Sequence, residues 1–597
     1  MARRRTPARA WPKFGQGVID ESWVHRLIEC TRAQSPTSVD SMLVLLRLVR
    51  ENVVELPPEL MDECRSALLA FDFSRSDDAS IAKGAWRESN QLCFAVAEYL
   101  AGIFLPADQF EADGMFGQEK AEHARERILT WLAWRFRYGH SDWLDPVAMQ
   151  FESAALSLVL DYSPDKELKK RAELVLDLVM LDGALHQFNG HLIASSGRAK
   201  GSAVREPDRS GFDHWWSCGV LGEKASDCPV DQARCLFCAR SRYEVPKAVL
   251  EIATGFPYRR VRTSQGLELH EVSRQLARIG DDSPEKLKQF LLGMDVWPYE
   301  GRQEPSAFGR LKATPSRLFG KLPGRVMKPI DSVRNTREIG TALQRANVQT
   351  FLTRSYSLSS VQRYHPGEFG GQQLIWQAQL PGGVVVFGNH PGDNLRDSSS
   401  LAPLDRWALH GILPDVAQHD NVLLAISDLR TRKGYQEGKR AEYVQFHFPS
   451  VKFDETRIGP RWVVGRSGRA YIAIIGTQTL ELVSESEVVQ RGLVTGYAVV
   501  MADDEEVTSM GAFVRLIKDY SLTMRGDRLE LVSPFGQYSL TWGRDFLVGG
   551  QKIPTEYPRY DTHWVQAPRN PSRLEIHGRK NALELDWLNA TRSTHEI

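Results

Sequence analysis

Between Trp131 and Asp145 the chain reads WLAWRFRYGHSDWLD, which sets Trp131, Trp134, Phe136, Tyr138 and Trp143 among Arg135, Arg137, His140 and Asp142. Planar rings beside cationic and hydrogen-bonding groups suit a carbohydrate groove, where a ring covers the C–H face of a sugar and a guanidinium takes its carboxylate or sulfate. The same rings also suit a core, because a helix ending near Tyr138 must bury one of its faces. Trp215 and Trp216, beside Asp213 and His214, admit the same two readings. Four of the seven cysteines, Cys218, Cys228, Cys235 and Cys238, lie within 21 residues. Cys235 and Cys238 have the spacing that lets two thiolates face one zinc ion, whereas the wider gaps match no common finger. This loop therefore either holds a structural zinc, with His214 as a substitute ligand, or carries free thiols. The chain contains no HExxH, no G-x-S-x-G elbow and no Walker loop, so metalloprotease, serine-hydrolase and P-loop chemistry have no motif behind them.

The elements that must position these residues change character along the chain. The first half repeats apolar residues at three- and four-residue steps, which predicts helices near 21–34, 38–54, 58–71, 88–103, 119–137, 147–160, 242–254, 267–278 and 284–293. Ser163 and Pro164 read as the cap and first turn of another helix, with Leu168, Ala172, Val175, Leu176 and Val179 along one face. Helices in such an array stack in pairs, as a solenoid or an α/α toroid. From 295 to 346 the periodicity fades and Pro298, Gly301, Pro305 and Pro315 mark a connection. Beyond it, short β-branched runs such as Val384–Phe387, Val422–Ile426 and Tyr471–Ile475 alternate with turns such as Pro381-Gly382-Gly383, predicting antiparallel strands. The expected layout is α+β and multidomain: a basic segment with a first helix (1–37), an α/α toroid (38–294, with the cysteine-rich loop at 214–240), a linker (295–346) and an antiparallel β-sandwich (347–597).

Composition narrows the partners. Among 597 residues, 75 Lys and Arg balance 75 Asp and Glu, so the net charge is zero and no basic field exists to grip nucleic acid or an acidic membrane. The basic start, Arg3 to Arg5 and Arg9, leads to Trp11 and Pro12 without the apolar segment of an export signal, and no run reaches bilayer-spanning length. Cys30, Cys64 and Cys93 sit singly within helical patterns, as small buried apolar residues do. A cytoplasmic, reducing location is the expectation.

Four stretches taken in order resemble the heparinase II/III-like superfamily of polysaccharide lyases: Trp86–Leu105, Tyr138–Ser157, Leu181–Lys200 and Ser359–Gly392, continued by Leu413–Ile426 and Phe446–Ile475. The resemblance covers roughly residues 80 to 480 and implies the helix-then-strand order already read from periodicity. It also implies β-elimination beside a uronic acid. That reaction requires neutralising the uronate carboxylate, stabilising enolate-like charge, and supplying a base and an acid.

Several matching positions depart from the family pattern. Where the family has Glu-Asn-His-Gln, this chain has Glu88-Ser89-Asn90-Gln91; where it has Ser-Thr-His-Gly-Arg-x-Tyr, the chain has Ala194-Ser195-Ser196-Gly197-Arg198-Ala199-Lys200; and Gln372-Gln373-Leu374-Ile375-Trp376-Gln377 carries Leu374 in place of a His. Asn90 hydrogen-bonds but does not shuttle protons, and Leu374 does neither. What the resemblance implies is thus a lyase with Lys200 as the base beside Arg198, Tyr364 or His390 as proton relay, and Arg198 with Asn90 on the uronate. Glu88, Arg135, Arg137, Trp143, Gln373 and His419 complete the expected substrate contacts, and His186 and His191 are candidate replacements for the missing imidazoles. No cofactor is required for the chemistry. The rival is a non-catalytic relative that binds an acidic glycan, or a protein partner, through the same cleft.

Overall fold

The structure, a computed structural model, describes residues 21–34, 38–51, 56–73, 87–192, 194–199, 204–205, 242–255, 259–268, 270–278, 344–391, 411–431 and 440–597, together with residues 280, 283, 407 and 409. Its first half carries helices α1 (Glu21–Arg32), α2 (Ser38–Glu51), α3 (Pro58–Leu69), α4 (Glu88–Phe104), α5 (Gly117–Tyr138), α6 (Pro146–Tyr162), α7 (Lys166–His186), α8 (Lys247–Thr254) and α9 (Val272–Arg278). The segment predicted at 284–293 and most of the 295–346 connection lie outside the described residues. Helix α7 starts two residues later than its sequence predicts. Ser163 ends α6, its Oγ accepts from the Asp165 amide, and Asp165 caps α7 by accepting from the Glu167 and Leu168 amides.

One apolar core joins helices α1 to α8, and α4 is buried along almost its whole length within it. Such a helix needs a small residue where a neighbour crosses close. A Cβ on Gly102 would stand 2.3 Å from the Gly117 carbonyl oxygen and 2.8 Å from the Ala121 nitrogen on α5. Alanine gains about 1 kcal/mol of helix propensity over glycine, but here it meets backbone, which cannot rotate aside, and overpacking costs about 1–3 kcal/mol. The clash wins: Gly102→Ala should lower stability by about 1–2 kcal/mol in urea denaturation, and a stabilised variant would show that α4 and α5 are not held this close.

The second half is built of antiparallel sheets. Strands β1 (Gln187–Phe188) and β2 (His191–Leu192) form a small hairpin after α7. Strand β3 (Arg259–Gln265) pairs with β4 (Ala346–Leu352), so the chain enters the large sheet before the 295–346 connection begins. Next come β5 (Ser357–Val361), β6 (Trp376–Leu380), β7 (Val384–Asn389), β8 (Asp415–His419), β9 (Val422–Asp428), β10 (Tyr443–His447), β11 (Glu455–Gly459), β12 (Trp462–Ser467), β13 (Ala470–Gly476), β14 (Leu480–Ser484), β15 (Glu487–Arg491) and β16 (Val494–Asp503). A ten-stranded sheet runs β14-β15-β10-β7-β6-β5-β4-β3, followed by the short strands Tyr560–Asp561 and Gln566–Ala567; a six-stranded sheet runs β11-β12-β13-β16-β9-β8. Gly382 and Gly383, at φ 71° and 69°, turn the β6–β7 hairpin in the left-handed region that glycine tolerates.

The six-stranded sheet is covered on both faces, which explains its unbroken apolar runs. In β13, Ala470, Ile472 and Ile474 enter the core shared with the ten-stranded sheet, while Tyr471, Ala473 and Ile475 enter a second core with helix α10 (Met510–Lys518) and the sheet spanning 521–552. The ten-stranded sheet differs: β5 and β6 send Leu358, Trp376, Ala378 and Leu380 into the shared core and leave Ser357, Ser359, Gln377 and Gln379 on the other face. That polar face meets the helical half.

The chain end returns to the helices. Strands Arg573–His577, Asn581–Asp586 and Thr591–Glu596 add Leu574, Ile576, Leu583 and Leu585 to the helical core, and Arg592 pairs with buried Asp177 of α7 at 2.7 Å. Residues after 570 therefore pack with the helical half, although the sequence places them in the strand domain. Among the described residues, no helix is long and apolar enough to cross a membrane.

Candidate functional site

The first wall of the site is the loop after α5, held from beneath by one carboxylate. Glu88, opening α4, accepts from the Ser141 amide at 2.8 Å and the Asp142 amide at 3.0 Å, and pairs with Arg135 of α5 at 2.8 Å. Arg135 lies over Trp131, 4.7 Å from the ring centroid, and the Trp131 indole N–H donates to the Glu88 carbonyl. This explains why the segment is so rich in aromatic and charged residues: the pair is fully desolvated, and rings and amides replace its water. His140 stands 3.1 Å from Glu152 of α6. Burial, reinforced by Arg135, pushes His140 down to about 4, and burial raises Glu152 well above the usual carboxylate range. The loop closes on Asp145, which caps α6 by accepting from the Val147 amide at 2.9 Å while Pro146 fills the first turn. Burial, and then the Asp142 charge, push the Asp145 carboxyl up to about 7.

The second wall joins the helical half to the ten-stranded sheet. Ser196 and Leu374 exchange backbone hydrogen bonds at 3.0 and 2.8 Å, Ala199 donates to the Gln372 carbonyl at 2.8 Å, and Gly197 donates to the Trp143 carbonyl at 2.8 Å. A Cβ on Gly197 would lie 2.8 Å from both the Trp143 ring and the Trp143 backbone nitrogen, so glycine permits this approach. Arg198 then donates Nε to Asp142 at 3.0 Å. Where the walls meet, a cavity of about 50 Å³ is lined by Arg87, Asp145, Ser196, Arg198, Leu374 and Gln377, among others. A buried water needs roughly 10–15 Å³ measured this way, so the space suits a carboxylate or sulfate group rather than a whole sugar ring.

The polar sheet face beside this cavity docks onto the helices through hydroxyls and amides. His186 Nδ1 meets Thr350 at 2.8 Å, the Ser195 amide donates to Ser359 at 3.1 Å, and Gln377 donates to the Val204 carbonyl at 3.1 Å. Ser195 Oγ, Ser357 Oγ, Gln379 Oε1 and Trp143 Nε1 are nonetheless buried without a hydrogen-bond partner among the described residues. Buried polar atoms are rarely left unpaired, and when they are they mark places where water or a ligand completes the set.

The sequence candidates sort themselves by their partners. Arg198 lines the cavity; Glu88 and Arg135 form the ion pair behind its wall; Trp143, fully buried, packs on Tyr364 with centroids 4.9 Å apart. Asn90 is half-buried on α4 and does not line the cavity. Tyr364 is buried, and its hydroxyl accepts from the Gln344 amide. His390 is also committed: Nδ1 accepts from the Ile412 amide, so Nε2 carries the proton it donates to the Ala441 carbonyl at 2.8 Å. Arg137 reaches away to Asn570 at 3.0 Å, and Gln373 accepts from the Gly371 amide through its side chain. His419, lowered by burial, sits at the end of β8 beside Asp420. Lys200, Trp215, Trp216 and the four clustered cysteines fall outside the described residues; among those described, no group of three or more His, Cys, Asp or Glu is placed to hold a metal ion.

Three polar residues of the cavity, Asp145, Arg87 and Gln377, are not among the site residues the sequence offers. Asp145 carried a legible signal, because Asp-Pro before an apolar run is a helix start, but nothing marked it as facing a cavity. Arg87 and Gln377 carried none. No family model and no curated protein matches the chain.

Proposed function

We propose that the chain is a heparinase II/III-like carbohydrate-active protein, an α/α toroid joined to an antiparallel β-sandwich, that binds an acidic oligosaccharide at the seam between its two halves. The observation that carries this reading is the pair of arginines, Arg87 and Arg198, lining one small cavity beside a polar sheet face on which Ser357 Oγ and Gln379 Oε1 are buried without a hydrogen-bond partner among the described residues. Guanidiniums recognise carboxylate and sulfate in bidentate geometry, and the low-dielectric wall formed by Leu374, Leu144 and Val147 strengthens that attraction. In a molecule of zero net charge such selectivity must be local. Binding without elimination is the primary reading, because His390 spends both ring nitrogens on backbone partners, Tyr364 is buried, and an apolar Leu374 occupies the cavity wall.

One observation favours elimination as the second reading: Asp145, held near neutrality, lines the same cavity as Arg198. In that reading Arg87 and Arg198 neutralise the uronate carboxylate, and Asp145 or Lys200 removes the neighbouring proton.

The deciding experiment titrates the full chain calorimetrically with oligouronates and with their neutral counterparts, while ultraviolet absorbance follows unsaturated uronate products. Saturable binding of the acidic series alone, with flat absorbance, is the expected result. An absorbance rise that Lys200→Ala or Asp145→Asn abolishes would move the conclusion to a lyase. Equal binding of neutral and acidic series, or none of either, would overturn the proposal.

A further inference from the structure

The cavity between the two halves holds its own anion. Asp145 is more than nine-tenths buried, lines the cavity together with Arg87 and Arg198, and interacts electrostatically with both. We propose that Asp145 competes with the ligand: ionised, it occupies the positive field of Arg87 and Arg198, and protonated, it yields that field to an incoming carboxylate or sulfate. This rests on the reading of the cavity as an oxyanion site and adds to it a regulation by pH.

The charges around the cavity decide the sign. From the start of α4 come Arg87, which faces the cavity, and Glu88, which is turned to the loop amides and Arg135. From the loop come Asp142, paired with Arg198, and His140, which burial keeps neutral above about pH 4. Helix α6 contributes Glu152, kept toward its protonated form by burial, while the sheet contributes Leu374 and Gln377, neither of which titrates. Among the described residues, ionised Asp145 and Asp142 set two carboxylates against Arg87 and Arg198, and protonation of Asp145 removes one of those negative charges. Carboxylates of sugars and sulfates stay ionised throughout the neutral range, so among the described cavity residues Asp145 is the group whose charge changes there.

Affinity for an oxyanion should therefore rise as pH falls through neutrality. The probes are D-glucuronate for a carboxylate and glucose 6-sulfate for a sulfate, with glucose as the neutral control, each titrated into the full chain at about pH 6 and about pH 8. Wild type is expected to bind at least one of the two anions about three- to tenfold more tightly at the lower pH, and the arm that responds identifies the group the cavity takes. Asp145→Asn keeps a good helix cap and should bind equally at both values, at least as tightly as wild type at the lower one. A folding readout checks the titration itself. A carboxyl raised from 3.8 to about 7 binds its proton more tightly in the folded chain, so its contribution to stability is lost as pH rises through that interval. The thermal midpoint of Asp145→Asn should thus gain on wild type between about pH 5 and pH 8. Binding that is equal at both pH values in wild type would overturn the competition while leaving the oxyanion site standing. No binding of either anion by wild type or by Asp145→Asn would remove the site and the competition together.

Discussion

Arg135→Ala should cost about 3–5 kcal/mol of folding free energy, since it leaves Glu88 buried without its counter-ion. Both side chains are about 99% buried, and Glu88 accepts from both the Ser141 and Asp142 amides. The loss arises because a carboxylate that water cannot reach must either stay ionised at high cost or take up a proton and weaken its grip on those amides. In thermal denaturation this corresponds to a fall of roughly 10 °C for a domain of a few hundred residues. The partial remedy is specific: Arg135→Met with Glu88→Gln removes both charges while keeping one acceptor for the loop, and should recover part of the loss. An Arg135→Ala variant within about 1 kcal/mol of wild type would show that the pair contributes little. The Arg135 that the sequence offers as a sugar contact would then need another account.

Arg198→Ala should weaken binding of acidic oligosaccharide by about ten- to a hundredfold, because a hydrogen bond to a charged group contributes about 1.5–3 kcal/mol and each 1.4 kcal/mol is tenfold in affinity. Arg137→Ala is the matched control. It removes a guanidinium that the sequence cannot distinguish from Arg198, but whose Nη1 bonds Asn570 rather than facing the cavity. Its affinity should match wild type. Since Arg198 also neutralises Asp142, circular dichroism must confirm that both variants stay folded, and Arg198→Lys, which keeps charge but loses the planar fork, should fall between alanine and wild type. Equal affinity of Arg198→Ala and wild type would sink the seam as the binding site.

Much of the fold is written in local periodicity. Helix α4 ends within a residue of its predicted boundary, and β13 contains the predicted strand Tyr471–Ile475, because side-chain spacing at 3.6 or 2 residues is a property of the segment itself. Strand β3 was missed for a matching reason. Arg259–Gln265, RRVRTSQ, has a single apolar residue, Val261, and becomes a strand by pairing with β4 and with Tyr560–Asp561. The C-terminal strands were expected in a β-sandwich, and their alternation is legible; that they cover helices α7 and α8 instead depends on Arg592 finding Asp177 and Glu251 accepting from the 579–581 amides.

The candidate site divides along the same line. The sequence by itself determined which residue types gather near 131–145 and 194–200, and that helices precede strands. Tertiary structure decided what each of them does. Arg135, Arg137 and Arg198 are alike as sequence, yet one neutralises Glu88, one reaches Asn570 across 433 residues, and one lines a cavity with Asp145. His390 likewise looks like a proton carrier until Ile412 and Ala441 take up both of its ring nitrogens. The reason is physical: a side chain's charge and shape belong to the residue, but its protonation and availability depend on how much water it loses and which partner replaces that water, and those partners are brought by folding from distant parts of the chain.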